Sequence, residues 1–109
     1  TFNVVLTGYG DYDNRLITAI RNSWIRKNHE ARMYQPYRVA VEFELLSSGH
    51  VQNMHVKKIK NPLTLTIPEL ICKGSIDEPA PFGQWDEKMK RALGTRRPCR
   101  ITFSFNIRD

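Results

Sequence analysis

The stretch that decides the fold is residues 99–107, CRITFSFNI, read together with residues 38–59, RVAVEFELLSSGHVQNMHVKKI. In the first, Cys99, Ile101, Phe103, Phe105 and Ile107 alternate with Arg100, Thr102, Ser104, Asn106 and Arg108. That is the period of two expected of a strand with one buried and one wet face. In the second, Val39, Val41, Phe43 and Leu45 point one way and Ala40, Glu42 and Glu44 the other, before Ser47-Ser48-Gly49 turns the chain. Gly49 supplies the positive φ that a tight hairpin needs. The return strand, Val51 to Ile59, turns Met54 and Val56 inward. Its apolar phase slips between Val51 and Met54, which predicts a bulge near Gln52 or Asn53.

Around these strands the period changes to that of helices. Asp11 stands at an N-cap position, Asp13 falls in the first turn, and Leu16, Ile17, Ile20 and Trp24 recur at helical spacing, predicting a helix from Tyr12 to Asn28. Arg15, Arg21, Asn22 and Arg26 form its wet side. Thr66-Ile67-Pro68-Glu69 has the form of a capping box and starts a second helix that runs to about Lys73 and stops at Gly74, with Ile67, Leu70 and Ile71 as its inner face. Residues 79–85 are extended and proline-punctuated, and residues 86–93 form a short helical piece closed by Gly94. Phe2 to Thr7 is β-prone and ends in Gly8-Tyr9-Gly10, so residues 1–10 read as a linker or an extra edge strand. The sum is an α+β domain over residues 11–109, αββαβ, with a three-stranded antiparallel sheet and both helices packed on one face. Its most apolar strand, Arg38 to Leu46, belongs in the middle, and Trp24, Ile71 and Phe103 belong to one buried cluster.

At 109 residues the chain is one domain, and 17 Lys and Arg against 11 Asp and Glu give a net charge of +6. That charge is spread, and no cationic patch is interleaved with exposed aromatics, so it reads as a solvated surface. No run approaches the roughly 18 apolar residues of a membrane span. The chain starts at Thr1 rather than Met, which suggests a fragment or processed product with targeting information upstream.

Catalytic patterns are absent. Glu42 and Glu44 are i, i+2 on a wet strand face, where cross-strand cations such as Lys57 or Arg100 account for them. His29, His50 and His55 lack metal-ligand spacing, and no strand-to-helix elbow follows Ser47-Ser48-Gly49. No enzyme activity, metal or cofactor is therefore expected. Trp24 and Trp85 read as core and lid. Cys72, beside the apolar face of the second helix, and Cys99, on the inner phase of the last strand, are either a disulfide or two buried thiols.

The run from Tyr37-Arg38-Val39 to Asn61-Pro62 resembles the C-terminal domain of TonB and TolA, whose pattern is an alternating strand, a turn, a G-x-V-x-N-type return strand and an N-P before a helix. Gly49, Val51, Asn53 and Asn61-Pro62 fall in register with it. Ala80-Pro81-Phe82 is similar to the A-P-F after the family's second helix, Ile101 to Asn106 to its closing strand, and Asp11 to Asn28 to its first helix. Two departures stand out: the turn carries Ser47-Ser48 where the family usually has acidic residues, and no Tyr-Pro motif precedes the first helix. A TolA-like role and a specialised TonB paralogue are both open.

The resemblance implies a periplasmic domain of a cell-envelope energy transducer, anchored to the inner membrane by a segment upstream of Thr1 and pulled by a proton-driven motor. Its partner would be a peptide of an outer-membrane transporter, or a periplasmic envelope protein, added as a strand to the edge of the last strand. The site would then be Arg100, Ile101, Thr102, Phe103, Ser104, Phe105 and Asn106, with the outer-face side chains of Arg100, Thr102, Ser104 and Asn106 tuning peptide selection. A strand-exchanged homodimer is also open, and an oxidising periplasm would allow a Cys72–Cys99 bond. The competing reading is an RNA-recognition module. A real first strand makes the order βαββαβ, yet Val51 to Ile59 carries no aromatic on which a base can stack, so no nucleic acid is expected.

Overall fold

The computed structural model describes residues 2–4, 10–60 and 67–106. In chain order the elements are β1 (Phe2–Val4), α1 (Gly10–Glu30), β2 (Tyr37–Leu46), β3 (Val51–Lys60), α2 (Ile67–Asp77), α3 (Glu87–Leu93) and β4 (Arg96–Phe105). The fold is α+β. Strands β4, β2 and β3 make the expected antiparallel sheet with β2 in the middle, and β1 joins it outside β4, giving the order β1-β4-β2-β3. The β-prone start of the chain is thus an edge strand over Phe2–Val4.

The hairpin follows its sequence closely. Residues Glu42 and Glu44 of β2 face His55 and Gln52 of β3, so the return strand carries one more residue than its partner across this interval, and Asn53 takes φ +53 there. This is the expected bulge. At the tip the Gly49 N–H donates to the Leu46 carbonyl at 2.8 Å, with φ +91 at Gly49.

Leu16, Ile20 and Trp24 of α1 and Ile71, Cys72 and Ile76 of α2 share one buried cluster with Val39, Val41, Ile101 and Phe103. Trp24 reaches Phe103 with ring centroids 5.6 Å apart. The opposite sheet face carries Arg38, Glu42, Glu44 and Arg100.

The second helix departs from its expected course. It passes through Gly74 to Asp77 and buries Pro68, Ile71, Cys72, Ser75 and Ile76, while Ile67 and Leu70 are exposed. Burying Ile76 and anchoring the Ser75 hydroxyl on the Ile71 carbonyl at 2.6 Å outweigh the intrinsic cost of a mid-helix glycine, about 1 kcal/mol. Gly74 serves packing instead: a Cβ there would lie 3.3 Å from Lys27 Cε, so the bare backbone lets α1 and α2 approach. Lys27 and Arg26 of α1 both reach Glu78 just past α2, the Lys27 ion pair at 2.6 Å. The expected cap at Thr66 and the Asn61-Pro62 pair lie outside the described residues.

The third helix is as expected. The Asp86 carboxylate accepts the Met89 N–H at 2.8 Å, and Gly94 closes the helix at φ +80. The segment before it docks on the hairpin tip: the Phe82 N–H donates to the Gly49 carbonyl and the Trp85 N–H to the Ser47 carbonyl, both at 2.9 Å. The Ala80–Pro81 peptide within it is cis.

Candidate functional site

The last strand starts earlier than its alternation suggests, at Arg96, and it pairs with β2 from Leu46↔Arg96 to Tyr37↔Phe105. It ends at Phe105, where Asn106 turns to φ +53; Ile107 lies outside the described residues.

Its outer side is not a bare edge. β1 adds antiparallel there, with Phe2, Asn3 and Val4 opposite Phe103, Thr102 and Ile101. The expectation that this strand sits at the edge of the sheet is corrected over those positions. An exposed row of main-chain donors and acceptors captures the nearest extended segment, and the chain supplies one itself.

Individual site residues are placed as follows. Ile101 and Phe103 point into the core and are fully buried, and Phe105 stacks on Tyr37 with centroids 5.4 Å apart. Thr102 is half-buried and Arg100 exposed, opposite Glu42. Ser104 does not present itself to a partner's side chains as expected. It is buried, and its hydroxyl accepts a hydrogen bond from Arg38 Nε at 2.9 Å, because the long Arg38 side chain lies across that part of the sheet. Asn106 is exposed and its amide donates to the Tyr34 carbonyl at 3.4 Å. Pro98, which has no N–H to give, is tolerated in β4 as proline is on sheet edges.

On the open sheet face the charges pair across strands. Lys57 Nζ lies 2.8 Å from Glu42, Arg96 3.5 Å from Glu44, and the Asn53 amide donates to Glu44. The Lys57 hydrogen bond, reinforced by the positive field of Arg100 and His55, holds the Glu42 carboxyl below its usual range. These acids are neutralised surface groups. Among the described residues no three His, Cys, Asp or Glu side chains converge, and no helix is long and apolar enough to cross a membrane.

The two cysteines are free, which removes the disulfide alternative. Cys72 lies against Tyr37 and Trp24, whereas Cys99 is paired with Phe43 at the other end of β2. Six strand residues, about 20 Å, separate those two ends, far beyond the reach of a disulfide. Burial pushes both thiols up, Cys99 to about 11. Burial likewise raises the Tyr37 hydroxyl. These groups hold their protons more tightly folded than unfolded, so their contribution to stability is intact below the ordinary thiol value of 9.0 and is lost as pH rises through the folded values. A disulfide-exchange reagent at neutral pH is expected to leave both thiols of the folded chain unreacted and to titrate both once the chain is denatured without reductant. Prompt native reaction would show that the core opens around one of them.

Two internal features escaped the sequence reading. Asp13 of α1 and Arg97 of β4 form a bidentate ion pair at 2.8 and 2.9 Å with both side chains buried. Its signal was available. Stepping back by two from Cys99 places Arg97 on the inner phase, and stepping back three from Leu16 places Asp13 on the inner stripe of α1. The second feature is a buried polar relay. Trp24 Nε1 donates to the Tyr37 hydroxyl at 2.8 Å, that hydroxyl donates to Asn28 Oδ1 at 2.7 Å, and the Asn28 amide donates to the Trp24 carbonyl at 2.8 Å. It ties the last turns of α1 to the start of β2.

Above this relay lies a groove of about 370 Å³ at the C-terminal end of α1, bounded by Ile25, Tyr34 and Phe105. The helix ends here because Arg32 adopts φ +51 and the N–H groups of Ala31, Arg32 and Met33 return to the carbonyls of Lys27, His29 and Asn28. No known protein family, curated protein or solved structure matches the chain.

Proposed function

We propose that this chain is the protein-binding domain of a TonB- or TolA-like cell-envelope energy transducer. It acts in the periplasm, tethered to the inner membrane through a segment upstream of Thr1, and passes a proton-driven pull to an outer-membrane transporter or another envelope protein. The partner adds an extended segment to the outer side of β4. The observation that carries this reading is β1, since an extended piece of chain is held antiparallel on that side, its described residues in register with Ile101–Phe103. The three described residues of β1 make few contacts for a partner to displace, and a longer partner strand can replace them or run on past them. The α+β layout with β2 central and both long helices on one sheet face supports the resemblance set out above.

The RNA-recognition reading gains the βαββαβ order from β1. It lacks a stacking platform of Phe, Tyr or Trp, since among the described residues the open sheet face presents Arg38, Glu42, Glu44, Arg100 and Thr102, with His55 opposite Glu42 as its aromatic ring.

Random linear peptides displayed on phage and selected against the domain provide the test. Amide shifts on adding a selected peptide are expected to concentrate on residues 100–106, and deleting residues 1–4 is expected to tighten binding, because the competing strand is gone. Shifts confined to residues 57–60 or to the wet side of α1 would overturn strand addition to β4.

A further inference from the structure

We propose that the groove at the end of α1 is the specificity pocket of the strand-adding site, and that it selects partner segments carrying a large apolar side chain with an Asp or Glu two positions away. This rests on the strand-addition reading.

The groove lies on the correct flank of the molecule. α2 packs over β2 and β3 and meets α1 through Lys27, whose side chain crosses Gly74. Ile25 stands two residues from Lys27, about 200° around the helix, and so faces away from α2 and toward the side of β4. Phe105 forms part of the groove wall, and its ring is on the helix face of the sheet, edge-on to Trp24 at 6.1 Å. Residues directly opposite one another in antiparallel strands put their side chains on the same face. A partner residue opposite Phe105 therefore directs its side chain into the groove. The described part of β1 stops at Phe2, opposite Phe103, one inner-phase step short of this position.

The lining states what would fit. Of the four exposed large hydrophobic residues among the described positions, Ile25 (51%) and Tyr34 (77%) border this one groove, and Trp24 and Met33 form its floor. An apolar side chain is needed to cover them. His29 and Arg32 also line the groove and, among the described residues, no carboxylate does, which favours an acidic neighbour. Side chains two apart on a strand share a face about 7 Å from each other, so one extended segment can set an apolar residue over the groove and an acidic one beside it.

Peptides selected from the phage library on the 109-residue chain are expected to be enriched in Trp, Phe, Leu or Ile spaced by two from Asp or Glu. Ile25 is exposed, so Ile25→Glu leaves the fold intact, and it is expected to weaken such peptides about tenfold to a hundredfold, the equivalent of one buried apolar side chain. Arg32→Glu is expected to shift the preference from acidic to basic neighbours, while shifts on residues 100–106 persist in both variants. Selected peptides that shift those residues without either preference, and bind Ile25→Glu unchanged, would overturn the pocket and leave strand addition standing. Selected peptides that shift none of residues 100–106 would overturn both.

Discussion

Arg97→Ala is expected to cost about 3–5 kcal/mol of unfolding free energy, measured by urea denaturation at neutral pH. The substitution leaves the Asp13 carboxylate nearly sealed from water beside the empty volume of the guanidinium, which had met it through two parallel hydrogen bonds of 2.8 and 2.9 Å. A loss of that size takes a large share of the roughly 5–15 kcal/mol that holds a typical domain folded. Removing both charges together is a different experiment. With Asp13→Leu and Arg97→Met combined, no charge has to be desolvated, and the double variant is expected to recover most of the loss or exceed the parent. Because the pair joins the first turn of α1 to the first residues of β4, the single variant should also loosen the N-terminal end of the helix, visible as faster amide exchange there. A cost below about 1 kcal/mol for Arg97→Ala would mean that water reaches the pair, as it does in surface ion pairs.

Gly49→Ala is expected to be nearly as damaging for a steric reason. The residue has φ +91, and a Cβ built on it falls 2.5 Å from the Gly83 carbonyl oxygen and 2.6 Å from the Gly83 nitrogen. Those are backbone atoms with no side-chain freedom to yield. The hairpin tip must back away, stretching the Phe82-to-Gly49 and Trp85-to-Ser47 hydrogen bonds that seat residues 82–85 and the buried Trp85. Gly83→Ala is the matching control, since Gly83 also has a positive φ, +98, but a Cβ there meets nothing within 4 Å. The control should pay only for the backbone conformation, about 1–2 kcal/mol, and Gly49→Ala at least twice that. Equal losses would show that the tip does not bear on this segment.

What was legible in the sequence was whatever depends on neighbours along the chain. Alternation marked β2, β3 and β4; the phase slip after Val51 marked the bulge that Asn53 makes at φ +53; Asp86 and Gly94 marked the two ends of α3. Each of these is settled by steric and hydrogen-bonding preferences within a few residues, and the antiparallel layering of three strands under two helices follows once their apolar faces must meet. Tertiary structure decided the rest. Gly74 looked like a stop and became the crossing point for Lys27, because burying Ile76 favours one more turn of α2. Ile67 and Leu70 read as inner-facing and stand outside, because the flank that meets the sheet is the one through Ile71, Cys72 and Ile76. Arg97 belonged by phase to the core and by composition to the surface, and only the arrival of Asp13 from a position 84 residues away resolves that conflict in favour of burial. The candidate site shows the same division. Its inner and outer residues were readable from period two, but its occupation by Phe2–Val4 was not, since strand pairing between the two ends of a chain leaves no local pattern in either.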